Sequence, residues 1–192
     1  MDSYLSLIGS IVIGGLLLFS VLNFQTDVRQ HSFEYSNSLI VQQTALSIIE
    51  LLEQDLRQIG YGHNFPSLAV FALDSNSISF YADLFDDGVM DTVNYSLGDV
   101  SDASGTTNPR DTIFYRTINS DPQVDDALGV TNFQLIFFDA NADTTVNQTE
   151  IRTIEVTLEF ESTEPYLDRL GTERYASYYW REKISPMNLQ PL

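Results

Sequence analysis

The sequence predicts an α+β protein in which one long N-terminal helix packs by its second half on an antiparallel β-sheet head. Three observations carry this. Residues 4–24 (YLSLIGSIVIGGLLLFSVLNF) form an uncharged apolar run. The chain then continues to LLEQDLRQIGYG without a proline, its larger apolar residues spaced in the threes, fours and sevens of a helix. After Pro66 the apolar period falls to two, the period of strands. Residues 1–60 therefore read as helix, apolar over 1–25 and amphipathic over 26–60, and residues 61–192 as the head. A helix of about 60 residues extends roughly 90 Å at about 1.5 Å per residue, several times the ordinary length in globular proteins. A rod greasy at one end and soluble at the other ties a domain to a membrane or to other copies of itself.

The apolar half comes first. As a helix it reaches about 31 Å, which matches a hydrocarbon core of about 30 Å. A cleaved signal peptide fits less well, because the only side-chain charge ahead of the run is Asp2 and no small-residue cleavage site follows cleanly. The buried helix of a soluble protein is the other alternative, and the run is long for one. Only Arg29 lies close to it, so the charge asymmetry that orients membrane helices is almost silent. Gly9, Gly14 and Gly15 sit inside. Glycine is common in membrane helices; it also lets neighbouring helices pack closely or lets the helix loosen on leaving lipid.

In the second half a stripe runs through Val28, Tyr35, Leu39, Leu46, Ile49, Leu52, Leu56 and Ile59. It is thin before Ser38 and widened afterwards by Ile40, Val41, Ile48 and Leu51. The C-terminal part is thus expected against the head, and the thin middle in solvent or against other subunits. Gly60 and Gly62 supply the left-handed geometry that stops a helix.

The head follows as strands. Residues 67–73 and 77–83 pair across a turn at 74–76, with Ile78, Phe80 and Ala82 on one face. A short strand at 92–97 precedes a Ser/Thr/Gly/Asp-rich loop, 98–111, and a strand at 112–118 precedes an acidic loop, 121–129. Residues 131–139 (TNFQLIFFD) are the most apolar strand. Residues 151–161 alternate, with Ile154, Val156, Leu158 and Phe160 inward and Glu155, Thr157 and Glu159 outward. Residues 172–184 (TERYASYYWREKI) read as an aromatic last strand. Five to seven strands with short connections imply an antiparallel sheet against the end of the helix. Trp180 and its tyrosine neighbours read as sheet packing, His31 as solvated or at a subunit contact, and His63 as a turn residue.

Composition narrows the chemistry. The formal charge is −18, from 27 Asp+Glu against 9 Lys+Arg. Such a surface repels nucleic acid, so no nucleic acid partner is expected. With no cysteine and two histidines, thiolate chemistry is excluded and histidine-based zinc or catalytic sites have little to work with. No nucleophile motif and no Gly-rich phosphate loop is present, so an enzyme is not expected.

Acidic loops do attract cations, and two suggest Ca²⁺ as a cofactor. In 139–150 (DANADTTVNQTE), Asp139, Asn141, Asp143, Thr145, Asn147 and Glu150 fall at the ligand spacing of a twelve-residue calcium loop. Thr144 stands where that pattern has glycine, and the flanks read as strands rather than helices. In 83–91 (DLFDDGVMD), Asp83, Asp87, Gly88 and Asp91 match the same pattern, with Asp86 beside Phe85 at a ligand position. Four carboxylates so close repel one another unless solvated or neutralised. A solvated hairpin is the alternative for each loop.

The helix end at 51–62, the acidic turn ADLFDDGVMDTVNY at 82–95, the pair FQLIFFDANAD and IRTIEVTLEFES, and the ending YWREKISPMNL at 179–189 together resemble the type IV pilin superfamily of pilins, minor pilins and type II secretion pseudopilins. The resemblance implies a structural subunit. Its helix is first held in the inner membrane, where the assembly machinery is its partner, and is then bundled with sister helices in the core of an extracellular filament. It places assembly on the apolar face and the extreme N-terminus: Asp2, Leu5, Ile8, Ile11, Leu16, Leu17 and Val21. Such proteins carry a glutamate at the fifth mature residue, thought to meet a neighbour's N-terminal amine. Counted from Met1, Leu5 stands there, and Asp2 is the carboxylate at hand. A minor pilin or pseudopilin that primes or caps the filament is the second expectation. An unrelated membrane-anchored binding domain is the third.

Overall fold

A computed structural model describes residues 2–62, 69–119, 127–168 and 170–189, with the side chains of Asp2 and Leu5 left out. The turn expected at His63, the start of the strand expected at 67–73 and most of the acidic loop expected at 121–129 lie outside those residues.

A single helix, α1 (Asp2–Arg57), is followed by strands β1 (Val70–Leu73), β2 (Ser77–Ala82), β3 (Asp91–Leu97), β4 (Thr112–Ile118), β5 (Ala127–Phe138), β6 (Thr153–Glu161), β7 (Tyr166–Leu167), β8 (Glu173–Arg174) and β9 (Ser177–Ile184). Seven strands form one open sheet in the order β1-β2-β3-β4-β5-β6-β9, and β7 and β8 make a separate two-stranded ribbon. Every pairing is antiparallel. This is the α+β class the sequence implied: a long N-terminal helix and an antiparallel sheet.

At 56 residues α1 is about 84 Å long at about 1.5 Å per residue. Only its last third meets the sheet, chiefly at β9. Val41, Ala45, Ile49, Leu52, Leu56 and Ile59 are buried there, in steps of four and three. Each fully buried leucine contributes about 1.5–3 kcal/mol of transfer free energy. The expected stripe is right at Ile49, Leu52, Leu56 and Ile59 and wrong upstream. Leu46, Leu39, Tyr35 and Val28 are exposed, and the seam instead continues through Ala45 and Val41. Small Ala45 lets the helix backbone approach the sheet, and Leu46 is turned to the open side.

Against this seam the sheet sets Ile78, Phe80 and Ala82 of β2, Val93 and Tyr95 of β3, Phe114 of β4, and Ile154, Val156, Leu158 and Phe160 of β6. Phe114 touches Phe133 edge-on, with ring centroids 4.9 Å apart. In β5 the alternation slips. The register shifts between Val130 and Asn132, so Val130 is buried and the next inward residues are Phe133, Leu135 and Phe137. Gly129 precedes the bulge at φ +91, with the Glu161 carbonyl 3.0 Å from where a Cβ would stand.

Three expectations need correction. β5 begins at Ala127, so residues 127–129 are strand rather than loop. The last strand is broken: 173–174 belongs to the ribbon, and the sheet strand starts only at Ser177. Glu155 and Thr157, expected outward, are buried, because Arg181 and Lys183 of β9 fold over Glu155. The loop expected at 98–111 is a loop, and it is internally braced. It contains a 3-10 turn (Val100–Ala103) with a capping box between Asp99 and Asp102. Asn108 Nδ2 donates to Glu161 and to the Ser162 carbonyl, and Arg110 grips Glu161 with both Nε and Nη2. Trp180 and Tyr178 pack partly buried on the core as expected, and Tyr179 is exposed.

Candidate functional site

The largest apolar surface is the free part of α1. Ile8, Ile11, Leu16, Leu17 and Val21 are 59, 66, 62, 63 and 51 % exposed, and Leu7, Val12, Ile13, Leu18, Phe19, Leu22 and Phe24 are exposed around them. Residues on every side of the helix are bare, so no face belongs to a packed core. α1 is long and apolar enough to cross a membrane by length and composition. Gly9, Gly14 and Gly15 have open space where a Cβ would stand, so nothing inside this chain requires them to be small. The exposed apolar surface continues past the run through Val28, Phe33, Tyr35, Leu39, Ile40 and Leu46. His31 is exposed beside Glu34 at 3.6 Å.

The first acidic loop turns two of its carboxylates inward and leaves Asp86 and Asp87 exposed. Asp83 and Asp91 are 4 % exposed. Asp83 accepts from the backbone N–H of Asp87 at 3.1 Å and of Gly88 at 2.9 Å. Asp91 accepts from the Leu84 N–H at 3.2 Å and from Asn119 Nδ2 at 2.6 Å. Asp87 caps the Val89 N–H at 2.8 Å, and Asp86, at φ +53, accepts from the Tyr61 hydroxyl at 3.1 Å. That hydrogen bond, and then the charge of Asp86, push the Tyr61 phenol up from its ordinary range. Gly62 makes the close approach possible: at φ +74, a Cβ there would stand 2.7 Å from that of Asp83.

In the second loop Asp139 is half-buried, and Asn141, Asp143, Asn147 and Glu150 are exposed. Asp139 accepts from the N–H groups of Asn141 at 2.8 Å and Asp143 at 2.9 Å. Asn147 accepts from the Thr149 N–H at 3.2 Å, and Glu150 accepts from the Thr145 hydroxyl at 3.3 Å. Among the described residues no three His, Cys, Asp or Glu side chains come together in a way that could hold a metal ion. The ligand spacing is present along the chain, with Asp83, Asp91 and Asp139 each bonded to amides of their own loops.

One polar cluster joins residues to which the sequence assigned no role. Asp55, on the buried seam of α1, accepts from the Tyr95 hydroxyl at 2.6 Å and from Arg116 Nε at 2.8 Å, and Arg116 Nε also donates to the Tyr95 oxygen at 3.0 Å. Burial, then the Asp55 charge, hold the Tyr95 phenol far above its ordinary range. Burial pulls the Arg116 guanidinium down, but the Asp55 hydrogen bond and the charges around it leave it raised. The cluster pins the helix to β3 and β4, and Tyr95 and Arg116 also line a groove with Ser47, Ile48, Leu51, Phe114 and Ala127. Its one sequence signal is a carboxylate at 55, between Leu52, Leu56 and Ile59.

The fold and these surfaces define a class: an α+β protein with a helix that could cross a membrane and a head built on an antiparallel sheet. Comparison with protein-family models, with curated proteins and with solved structures finds no match.

Proposed function

We propose that this chain is the structural subunit of an extracellular filament of the type IV pilus kind that its sequence resembles. It sits first in the inner membrane by the apolar half of α1, in reach of the assembly machinery. It is then polymerised with copies of itself through that half, head outward. The observation that supports this reading is a helix bare and apolar on every side beyond its own head. Such a helix needs apolar surroundings all round. Lipid supplies them, and so does a bundle of sister helices of equal apolarity, so transfer between the two costs little. The test is negative-stain microscopy of the full chain after detergent removal. Long fibres made mostly of this chain are expected; a monodisperse monomer without detergent overturns the reading. A second reading is a priming or capping subunit of such a filament. Immunogold label confined to fibre ends would select it.

Calcium at the acidic loops has its own test. Its support is the charge of 83–91 and 139–150; the ion would have to draw Asp83, Asp91 and Asp139 away from the amides they now cap. A site held at about a hundred times its Kd adds about 2.7 kcal/mol. The expected result is a melting temperature lowered by several degrees on adding EDTA. An unchanged melt removes calcium from the proposal.

A further inference from the structure

We propose that the β7–β8 ribbon is a foot that rests on the bilayer surface and sets Leu170 into it while the subunit is in the membrane. This rests on the membrane stage of the proposed function. β6 ends beside the helix at the level of Asn37–Thr44, where Phe160, Glu161 and Ser162 line a groove with those residues. The chain then runs towards the helix N-terminus. Leu167 lines a groove with Asp27, Gln30, His31 and Glu34. The turn beyond Leu167 continues the same way before β8 returns. One further extended residue and the depth of the turn advance the chain by about 6 Å, or about four residues of helix at about 1.5 Å each. That brings Leu170 level with about Thr26, within a turn of Phe24, the last residue of the apolar run.

What stands at the tip suits lipid. Leu170 is 90 % exposed and Leu167 is 50 % exposed. The turn is fixed from within: Asp168 Oδ1 accepts from the N–H groups of Leu170 at 2.8 Å and Thr172 at 2.9 Å, and Gly171 donates to the Asp168 carbonyl at 2.9 Å. The Thr172 amide above all keeps the Asp168 carboxyl below its usual range. Arg174 lies 3.3 Å from Asp168. By sequence, Asp168, Arg169, Glu173 and Arg174 sum to zero, on a chain of charge −18. An apolar tip on a neutral base is the part of this head that an anionic headgroup layer repels least. Behind it, the ribbon is braced by the loop at 98–111: the Thr107 N–H donates to the Thr163 carbonyl at 3.1 Å, and the Tyr175 hydroxyl to the Thr107 carbonyl at 3.0 Å. The foot is therefore held at a set height. With it in place, α1 is fixed in depth and tilt by two points instead of one.

The chain has no cysteine, so single-site labels are clean. The Leu170→Cys, Leu16→Cys and Val146→Cys variants of the full chain, each carrying an environment-sensitive fluorophore, are placed sparsely in vesicles of phosphatidylethanolamine and phosphatidylglycerol. Lipids brominated just below the headgroup serve as quencher. The expected result is strong quenching and a blue shift at 170, and water-like emission at 146, where the side chain is 85 % exposed on a distant loop. Water-like emission at 170 with the label at 16 shielded from solvent overturns the foot and leaves the anchor standing. A label at 170 shielded only when vesicles are crowded with protein, and unquenched by bromolipid, also overturns it, because a neighbouring subunit is then the occupant. If the label at 16 reports water, the anchor itself falls.

Discussion

Leu16→Asp is expected to abolish both membrane residence and fibre formation while leaving the head folded. Leu16 is at the middle of the apolar run and 62 % exposed, so no contact within the chain is lost. What changes is the cost of the surroundings. An aspartate at the centre of a spanning helix costs about 2.5–3.5 kcal/mol on insertion scales, on the order of a hundredfold in partition. In a bundle of helices the same charge recurs in every subunit with no cation within reach, since Arg29 is the nearest basic residue and lies thirteen positions on. Flotation with vesicles and negative-stain microscopy read the loss. A head melting temperature within about a degree of the parent, as expected for substitutions remote from the core, shows that folding is intact. Normal fibres from this variant would refute assembly through the helix.

Asp55→Ala carries the largest expected effect on stability. It strips Arg116 of the Asp55 carboxylate and takes from the Tyr95 hydroxyl the acceptor of its proton. Breaking a buried ion pair from one side costs about 3–5 kcal/mol. At about 2–4 °C per kcal/mol for a domain of this size, the melting temperature falls on the order of 10 °C. Asp55→Asn keeps an acceptor for Tyr95 and loses only the charge, so it should fall between the two. Tyrosine and tryptophan near-ultraviolet dichroism follows the transition, because Tyr95 is within the cluster. A drop of less than about a degree for Asp55→Ala would mean that the cluster contributes nothing net.

The long helix was legible because nothing breaks it: no proline occurs before Pro66, and its glycines sit where surroundings rather than propensity decide. β2 and β6 were legible because their alternation is strict on the buried side. The seam of α1 was only half legible. Periodicity favours large residues, so it selected Leu46 and Leu39, whereas a helix pressed on a sheet selects what fits, which is Ala45 and Val41. The break before β9 hides in an unbroken aromatic stretch, because it depends on Ser162 and Ala176 bonding across the base of the ribbon. In the acidic loops spacing revealed which residues carry oxygen but not where the oxygen turns, and Asp83, Asp91 and Asp139 turn back on their own loops. The Asp55 cluster was out of reach, since Tyr95 and Arg116 lie 40 and 61 residues away in sequence.

The first and last elements of this chain close on each other. α1 lies chiefly on β9, and beyond it Asn188 donates to the Ile59 carbonyl at 3.3 Å, at the point where the helix gives way to the head. Each sheet strand up to β6 pairs with the one just made, so translation can lay down most of the sheet in order. The seat for α1 is therefore complete only once β9 is made, and a chain interrupted before Ser177 leaves Leu52, Leu56 and Ile59 without that cover.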